Sequence, residues 1–187
     1  MIRDYPGRVY GFCYINPLNP GWEDELVTCA ENGFTGLKLW IAATCSDPVV
    51  FPVIESAIDK KMPVLVHSFL KTNGNLQNES TPYDVASLAL KYPEARILMA
   101  HAGGNQKEGI EALRPMPNVS VDTSGTYPEI GTVETAVELL GAERVMFGSD
   151  APGRSFAVQL QKVKAAALNS MQKELILYKN FMRLIEP

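Results

Sequence analysis

The chain has 187 residues, of which 46% are hydrophobic and 20% charged, and its formal net charge is −4. These values are typical of a globular, mildly acidic protein and exclude a disordered or collagen-like chain. No stretch is apolar enough for a membrane-spanning helix, no secretory signal opens the chain, and no run of lysine or arginine offers a surface for nucleic acid. We therefore expect a cytoplasmic protein that binds a small molecule and neither nucleic acid nor membrane.

The three cysteines, Cys13, Cys29 and Cys45, are odd in number and form no CxxC pair. This pattern favours neither a disulfide framework nor a structural zinc site. We predict that all three are reduced thiols in the core.

Six short apolar runs rich in β-branched residues predict strands, because each is too short for a helix and is bounded by glycine, proline or asparagine. They cover residues 9–15, 36–39, 64–66, 97–100, 119–121 and 145–147.

The segments between these runs show helical periodicity and helix-end signals. The first predicted helix places Leu26 and Val27 on one apolar stripe and stops at Gly33, where glycine accepts a left-handed conformation. Thr81 and Pro82 form an N-cap and first position for a later helix. An amphipathic helix closes the chain.

Alternating strands and helices predict a parallel sheet joined by right-handed crossovers. A complete eight-unit barrel uses about 31 residues per unit, so a chain of this length holds about six units. No GxGxxG follows the first strand, which disfavours a dinucleotide-binding sheet. We predict an α/β fold, a TIM-barrel-like sheet truncated to about six parallel strands, in a single domain over residues 1–187.

Both histidines, His67 and His101, stand at the end of a predicted strand, and so does Asp150. In barrels these positions line one mouth. Each residue alone is explained as a hydrogen-bonded polar group or a helix cap, but the three together indicate a site. Imidazole and carboxylate ligands hold a divalent ion that activates water, and a free imidazole moves protons. With His67 and Asp150 as ligands and His101 as the proton carrier, the set is one ligand short of catalytic zinc.

Five further residues near the strand ends are candidates for the site, and four of them have a second interpretation. Asp122 orients a histidine or caps a turn, and Arg154 grips a substrate carboxylate or lies exposed. Trp40 and Phe69 are expected to line the pocket, and for Trp40 simple packing is an equal alternative. For Lys38, an ion pair is favoured over the carboxylated lysine that bridges two metals in some barrel hydrolases.

The motifs VLVHS, ILMAHAGG, NVSVDTSG and AERVMFGSDAP, with the closing segment ILYKNFMRLI, resemble the amidohydrolase-related family of metal-dependent hydrolases, including its aminocarboxymuconate semialdehyde decarboxylase branch. The resemblance covers about residues 10–185. It implies a (β/α)8 barrel with one divalent metal ion, often zinc. It also implies metal ligation by His67 and Asp150, with His101 as general acid/base or additional ligand.

The family pattern begins with an HxH pair on the first barrel strand, and this sequence contains no such pair. Its first strand is similar to the family's third, so two β/α units and two ligands are missing. Either the start lies inside a longer protein or the chain is a shortened paralogue. We expect low zinc occupancy, unpaired sheet edges near residues 9–15 and 145–147, and either a partly open barrel or an edge-paired homo-oligomer.

Two functions of different classes follow from these observations. The first is a metal-dependent hydrolase of C–N or C–O bonds, or a nonoxidative decarboxylase, acting on a small organic acid. The second is a catalytically inactive barrel remnant that binds a small molecule or a protein. The segment 68–80, rich in asparagine and glycine, is expected to form a mobile loop that sets substrate choice.

Overall fold

Six strands form one sheet in which they follow chain order and every neighbouring pair is parallel. The strands are β1 (Gly11–Tyr14), β2 (Phe34–Leu39), β3 (Val64–Val66), β4 (Ile97–Met99), β5 (Val119–Asp122) and β6 (Val145–Met146). In the computed structural model, which describes residues 1–125 and 131–186, β1 pairs only with β2 and β6 only with β5. The predicted six-stranded, barrel-like α/β fold is thus confirmed, as an open sheet.

Helices follow the strands along the chain. They are α1 (Trp22–Glu31), α2 (Phe51–Asp59), α3 (Pro82–Lys91), α4 (Lys107–Ala112), α5 (Thr132–Leu140), α6 (Phe156–Ala165), α7 (Ser170–Glu174) and α8 (Asn180–Ile185). A π-helical segment, Leu175–Lys179, joins α7 to α8. Within the described part of the chain, none of these helices has the length and apolar character needed to cross a bilayer.

Helix ends match the sequence signals, with one exception in the first helix. Thr81 and Asp84 form a reciprocal capping box at the start of α3. Gly33 adopts a φ of +82° just after α1, as predicted for a left-handed stop. Leu26 is buried, whereas Val27 is 42% exposed. The prediction that Val27 shares the buried stripe is therefore wrong, because Trp22 and Leu26 form the buried contact of this helix.

Helix α2 lies outside the set that the sequence predicts. It has no side-chain N-cap hydrogen bond, and its N-cap residue Val50 belongs to a preceding 3-10 turn. Val53, Ile54 and Ala57 are fully buried on its inner face. Burial against the sheet, rather than a capping signal, stabilises this helix.

The cysteines correct a second prediction. Cys13 and Cys29 form a disulfide, with 6.1 Å between their Cα atoms, and only Cys45 is a free thiol. The pattern of odd, unpaired cysteines gave no signal for this bond, because the contact arises when α1 packs beside the outward face of β1. Burial raises the pKa of the Cys45 thiol to about 12, which keeps it protonated and unreactive.

The two faces of the sheet carry different chemistry because side chains alternate along a strand. Leu37, Val64, Val66 and Ile97 point outward into the helical layer and are almost fully buried. The alternate positions face the interior of the open barrel, where Lys38 and Leu65 lie at the same level on β2 and β3.

The C-terminal segment covers the lower part of this interior. Leu184 of α8 packs with Leu98 and Met146, and Phe181 joins the same apolar cluster. Phe181 also contacts the rings of Tyr10, just before β1, and Phe12, within β1, at centroid distances of 6.0 and 6.2 Å. Helix α8 therefore supplies an apolar floor beneath the carboxyl ends of the strands.

Candidate active site

A cavity of about 640 Å³ opens at the carboxyl ends of the strands. His67, His101 and Asp150 all line it, as the sequence predicts for residues that end parallel strands. The further candidates Trp40, Phe69, Asp122 and Arg154 line the same cavity. Their convergence is a structural observation, and the catalytic or ligand role of each remains a prediction.

His67 follows β3 and is held from behind by a carboxylate. Its Nε2 lies 3.0 Å from Oε1 of Glu79. The Glu79 carboxylate also accepts hydrogen bonds from Lys71 Nζ at 2.8 Å and from the backbone N–H of Leu76 at 2.9 Å. Burial alone would raise the pKa of Glu79, but these hydrogen bonds hold it below its ordinary value. Glu79 is therefore an anion that favours a proton on His67 Nε2.

His101 follows β4 in a left-handed conformation with a φ of 70°. Its Nδ1 lies 3.0 Å from the Ser124 hydroxyl, which donates its own hydrogen to Asp122 Oδ1. Asp122 also accepts the backbone N–H groups of His101 at 3.1 Å and Ser124 at 2.8 Å. Asp122 thus caps the turn and binds the Ser124 hydroxyl that lies against His101 Nδ1, and its role in orienting the histidine stays a prediction.

The two imidazole rings meet inside the cavity. His67 Nδ1 and His101 Nε2 are 3.2 Å apart. Glu79 favours a proton on the far nitrogen of His67, and Ser124, whose hydrogen goes to Asp122, accepts one from the far nitrogen of His101. In two neutral rings, the facing nitrogens are then both unprotonated. Two opposed lone pairs favour a proton or another cation between them.

Burial lowers the pKa of both histidines. For His67, repulsion from His101 and Lys38 adds to this effect, while Glu79 opposes it. For His101, the charges of Asp122 and Asp150 oppose the lowering. Both rings are therefore mainly neutral at pH 7, and the protonated form of either ring is a stronger acid than free imidazolium.

Aromatic side chains surround the two rings. Phe69 stacks on His101 with ring centroids 4.5 Å apart and lies 5.2 Å from the ring of His67. Trp40 is 6.4 Å from His67 and is 52% exposed. Phe69 therefore fixes the histidine rings, whereas Trp40 stands at the cavity rim and is not a core residue. Arg154 is exposed at the same mouth.

The segment 68–80 folds back onto the histidines. Asn75 binds both the backbone N–H of Lys71 and the carbonyl of Phe69. The backbone N–H of Leu70 binds the carbonyl of Gly104 at 3.1 Å, and a Cβ at Gly104 would lie 2.4 Å from Leu70 N. This segment carries Glu79, which is not among the predicted site residues because a lone glutamate in a polar loop has no distinguishing sequence pattern. Mobility of the loop stays a prediction.

The residues do not complete a metal centre. His67 Nδ1 and His101 Nε2 face each other. The second ring nitrogen of His67 binds Glu79, and that of His101 binds Ser124, which is hydrogen-bonded to Asp122. Such partners are typical of histidine ligands. However, the described residues, 1–125 and 131–186, contain no group of three or more His, Cys, Asp or Glu side chains that could hold an ion. Catalytic zinc requires about three protein ligands. We therefore derive no step of the chemistry through a metal.

Comparison with solved structures places this fold among known enzymes. The 5-carboxyvanillate decarboxylase of Sphingomonas paucimobilis is 17% identical, with a TM-score of 0.78, and the match covers 98% of this chain and 68% of that one. A dihydroxybenzoic acid decarboxylase of Polaromonas sp. JS666, with bound manganese and the inhibitor 2-nitroresorcinol, is 17% identical with a TM-score of 0.79 over 98% and 71% of the two chains.

A third solved structure belongs to a Pseudomonas putida protein provisionally assigned as a 2-pyrone-4,6-dicarboxylic acid hydrolase. It is 18% identical, with a TM-score of 0.72 over 98% of this chain and 74% of that one. Both predicted reaction classes, decarboxylases and hydrolases, thus occur among the proteins that share this fold. No curated protein sequence matches the chain.

The sequence profile of the family described as Amidohydrolase matches residues 1–185. This match confirms the resemblance carried by the strand-end motifs around His67, His101 and Asp150. The chain belongs to the amidohydrolase family.

Proposed function

We propose that the cavity catalyses the nonoxidative decarboxylation of a small organic acid. One observation carries this proposal: two imidazole nitrogens, each oriented from behind by an acid-linked partner, face each other at 3.2 Å within the cavity. Decarboxylation needs a proton at the carbon that loses the carboxylate, and this pair can hold and deliver one. Two enzymes with the same fold support this reaction class, because they are named as decarboxylases of 5-carboxyvanillate and of 2,6-dihydroxybenzoate.

The proposed step is a proton exchange at carbon. The His67–His101 pair takes a proton from solvent and gives it to the carboxylate-bearing carbon of the substrate. The carbon–carboxylate bond then breaks, its electron pair stays on the carbon skeleton, and carbon dioxide leaves. The lowered pKa of both rings makes their protonated form a stronger acid than free imidazolium. Phe69, stacked on His101, limits the rotation of that ring.

Hydrolysis of a C–N or C–O bond is the second candidate. The same facing nitrogens can accept a proton from an attacking water. The assigned activity of the Pseudomonas putida protein supports this class. In either reaction the proton-carrying pair is the same, so one set of variants tests both.

The test is product formation from defined substrates. Purified protein is incubated with 5-carboxyvanillate and 2,6-dihydroxybenzoate, and in parallel with a panel of small esters, amides and lactones. Loss of the substrate and release of carbon dioxide are followed by NMR. We expect turnover that falls at least about a hundredfold in His101→Asn, because general acid–base groups contribute about 10²–10⁴-fold.

The matched control for this test is Tyr83→Phe, an exposed position on α3. Equal rates in wild type and His101→Asn would contradict the proposal. Absence of turnover in the wild type would favour the inactive-remnant hypothesis, which the enzyme neighbours do not favour.

We propose that this chain binds a divalent metal ion, which we expect to be zinc, only with low affinity. His67 and Asp150 are the predicted donors, and the described residues do not add a third in the same group. We expect substoichiometric zinc and manganese after purification, measured by elemental analysis. One tightly held ion per chain would contradict this expectation.

The cytoplasmic location stays a prediction. The Cys13–Cys29 disulfide favours an oxidising compartment, because such bonds are rare in the cytosol. Cell fractionation, with a count of free thiols in the isolated protein, distinguishes a cytoplasmic location from an oxidising compartment. A homo-oligomer joined through the sheet edges is likewise a proposal.

A further inference from the structure

Lys38 lines the inner wall of the cavity. It is on β2, opposite Tyr14 of β1 and Leu65 of β3 in the strand register. Trp40, two residues further along, lines the cavity nearer the mouth and is half exposed. Lys38 therefore lies one level below the rim, where both Tyr14 and Leu65 also line the cavity wall.

The ammonium of Lys38 has no ion pair or hydrogen bond among the described residues, which include Asp122 and Asp150 on the same cavity. Asp122 already accepts three hydrogen bonds from the backbone and hydroxyl groups of His101 and Ser124. The sequence-based expectation of an ion pair at Lys38 is therefore wrong.

A partly buried ammonium without an ion pair among the described residues is destabilised unless an anion approaches it. Burial lowers the pKa of Lys38 to about 8, against the attraction of Asp122 and Asp150. Most of the population is still charged at pH 7.

We propose that Lys38 is the anion-binding residue of this cavity and that it binds the carboxylate of a small organic acid. This inference rests on the proposed function, in that the anion is the substrate's own carboxylate. An ammonium offers three N–H donors to carboxylate oxygens. Tyr14, Leu65 and Trp40 then contact the remainder of the molecule, and the carboxylate lies on the same cavity as the His67–His101 pair.

The experiment measures binding, not turnover. Benzoate, benzamide and inorganic phosphate are titrated into the full chain by isothermal calorimetry at pH 7, with tryptophan fluorescence, to which Trp40 in the cavity contributes, as a second signal. Benzamide has the shape of benzoate without its charge, and phosphate is an anion without a carboxylate. The variants are Lys38→Met, Lys38→Arg and, as a matched control, the exposed Lys60→Met.

We expect Lys38→Met to weaken benzoate binding by about ten- to hundredfold, since hydrogen bonds to charged groups contribute about 1.5–3 kcal/mol. Benzamide affinity should not change in that variant. Lys38→Arg should retain part of the benzoate affinity, and Lys60→Met should retain all of it. Circular dichroism and thermal unfolding establish that each variant is folded. If Lys38→Met is unfolded, folded Lys38→Arg provides the test. An anion-binding role of Lys38 predicts that the ratio of benzoate to benzamide affinity is lower in Lys38→Arg than in the wild type, and an unchanged ratio would contradict that role.

Three results would overturn the proposal: equal benzoate affinity in wild type and folded Lys38→Met, equal loss of benzoate and benzamide, or tighter binding of phosphate than of benzoate. The failure of this proposal is distinguishable from failure of the proposed function. A chain that binds benzoate through Lys38 but turns over no substrate contradicts only the proposed reaction. A chain that decarboxylates its substrate without dependence on Lys38 contradicts only this inference.

Discussion

At the scale of single residues, the site depends on groups that hold the histidines from behind. Glu79 is 4% exposed and binds His67, Lys71 and the backbone of Leu76 at once. Its negative charge and its hydrogen bond both raise the pKa of His67 against the effect of burial. Removing that charge should therefore change the titration of a histidine without removing the histidine itself.

We predict that Glu79→Gln lowers the pKa of His67 further below that of wild type. The measurement is an NMR pH titration of metal-free protein, in which only two histidines contribute signals. Glu138→Gln, an exposed position on α5, serves as the control. An unchanged or raised His67 pKa in the Glu79 variant would show that the carboxylate does not set the protonation of this ring.

The lowered pKa values of the two histidines determine whether acid raises or lowers the free energy of unfolding. Both histidines have folded-state pKa values below their ordinary value. The unfolded chain therefore binds more protons than the folded chain as the pH falls through about 6.5. We predict that the free energy of unfolding decreases in this range, and less so in a His67→Gln, His101→Gln double variant, by urea unfolding at pH 7.5 and 5.5. An equal decrease in both proteins would place the acid sensitivity elsewhere.

Gly125 is a second residue on which the His101 ring depends. Its φ is +69°, and a Cβ there would lie 2.1 Å from His101 Nδ1. We predict that Gly125→Ala lowers the unfolding free energy by about 1–3 kcal/mol more than a substitution without such a clash. Gly74→Ala is the matched control, because its φ of +91° imposes similar strain with no atom within 4 Å. Equal losses in the two variants would mean that backbone strain alone explains the effect.

At the scale of elements, α8 has an unusual position. Its Leu184 and Phe181 close the lower interior of the sheet, and Asn180 binds the carbonyls of Ala142 and Val145 at 2.7 Å each. Arg96, just before β4, donates to the carbonyl of Leu184 at 2.8 Å. The cavity floor thus depends on a helix far from the site in sequence.

We predict that Leu184→Ala lowers the free energy of unfolding by about 2–4 kcal/mol, the usual cost of a buried leucine truncated to alanine. Leu184 is 8% exposed, whereas Leu90 on α3 is 73% exposed and supplies the control. Leu90→Ala should cost less than about 0.5 kcal/mol in the same urea experiment. Similar costs for the two variants would contradict the role of α8 as the floor.

At the scale of the whole molecule, the open sheet has two edge strands. β1 and β6 each pair on one side only within the described residues. The C-terminal segment partly covers one of them, since the backbone N–H of Phe147 binds the carbonyl of Ile176 at 2.7 Å. Uncovered edges tend to pair with other chains.

We therefore predict concentration-dependent self-association, measured by sedimentation velocity. Hydrogen exchange at β1 should slow as protein concentration rises, whereas exchange in the central strands β3 and β4 should stay constant and so provides an internal control. A single monomeric species at all concentrations, with exchange at β1 independent of concentration, would exclude edge pairing.

Local sequence patterns determined much of this protein. The six strands, the Thr81–Asp84 helix start and the strand-end positions of His67, His101 and Asp150 all follow from residue periodicity and end signals within short segments. Parallel topology then places the strand ends at one mouth, so the cavity and its main candidates were predictable.

Only the tertiary structure decided the Cys13–Cys29 bond, the Glu79 support of His67 and the burial of α8 beneath the cavity. It also decided that Lys38 has no ion pair among the described residues. The reason is physical: these contacts join residues from different elements or from an irregular loop, so their distances depend on how helices and loops pack. No periodicity within one segment records such packing, whereas the strands and helix ends are fixed by interactions between near neighbours in the chain.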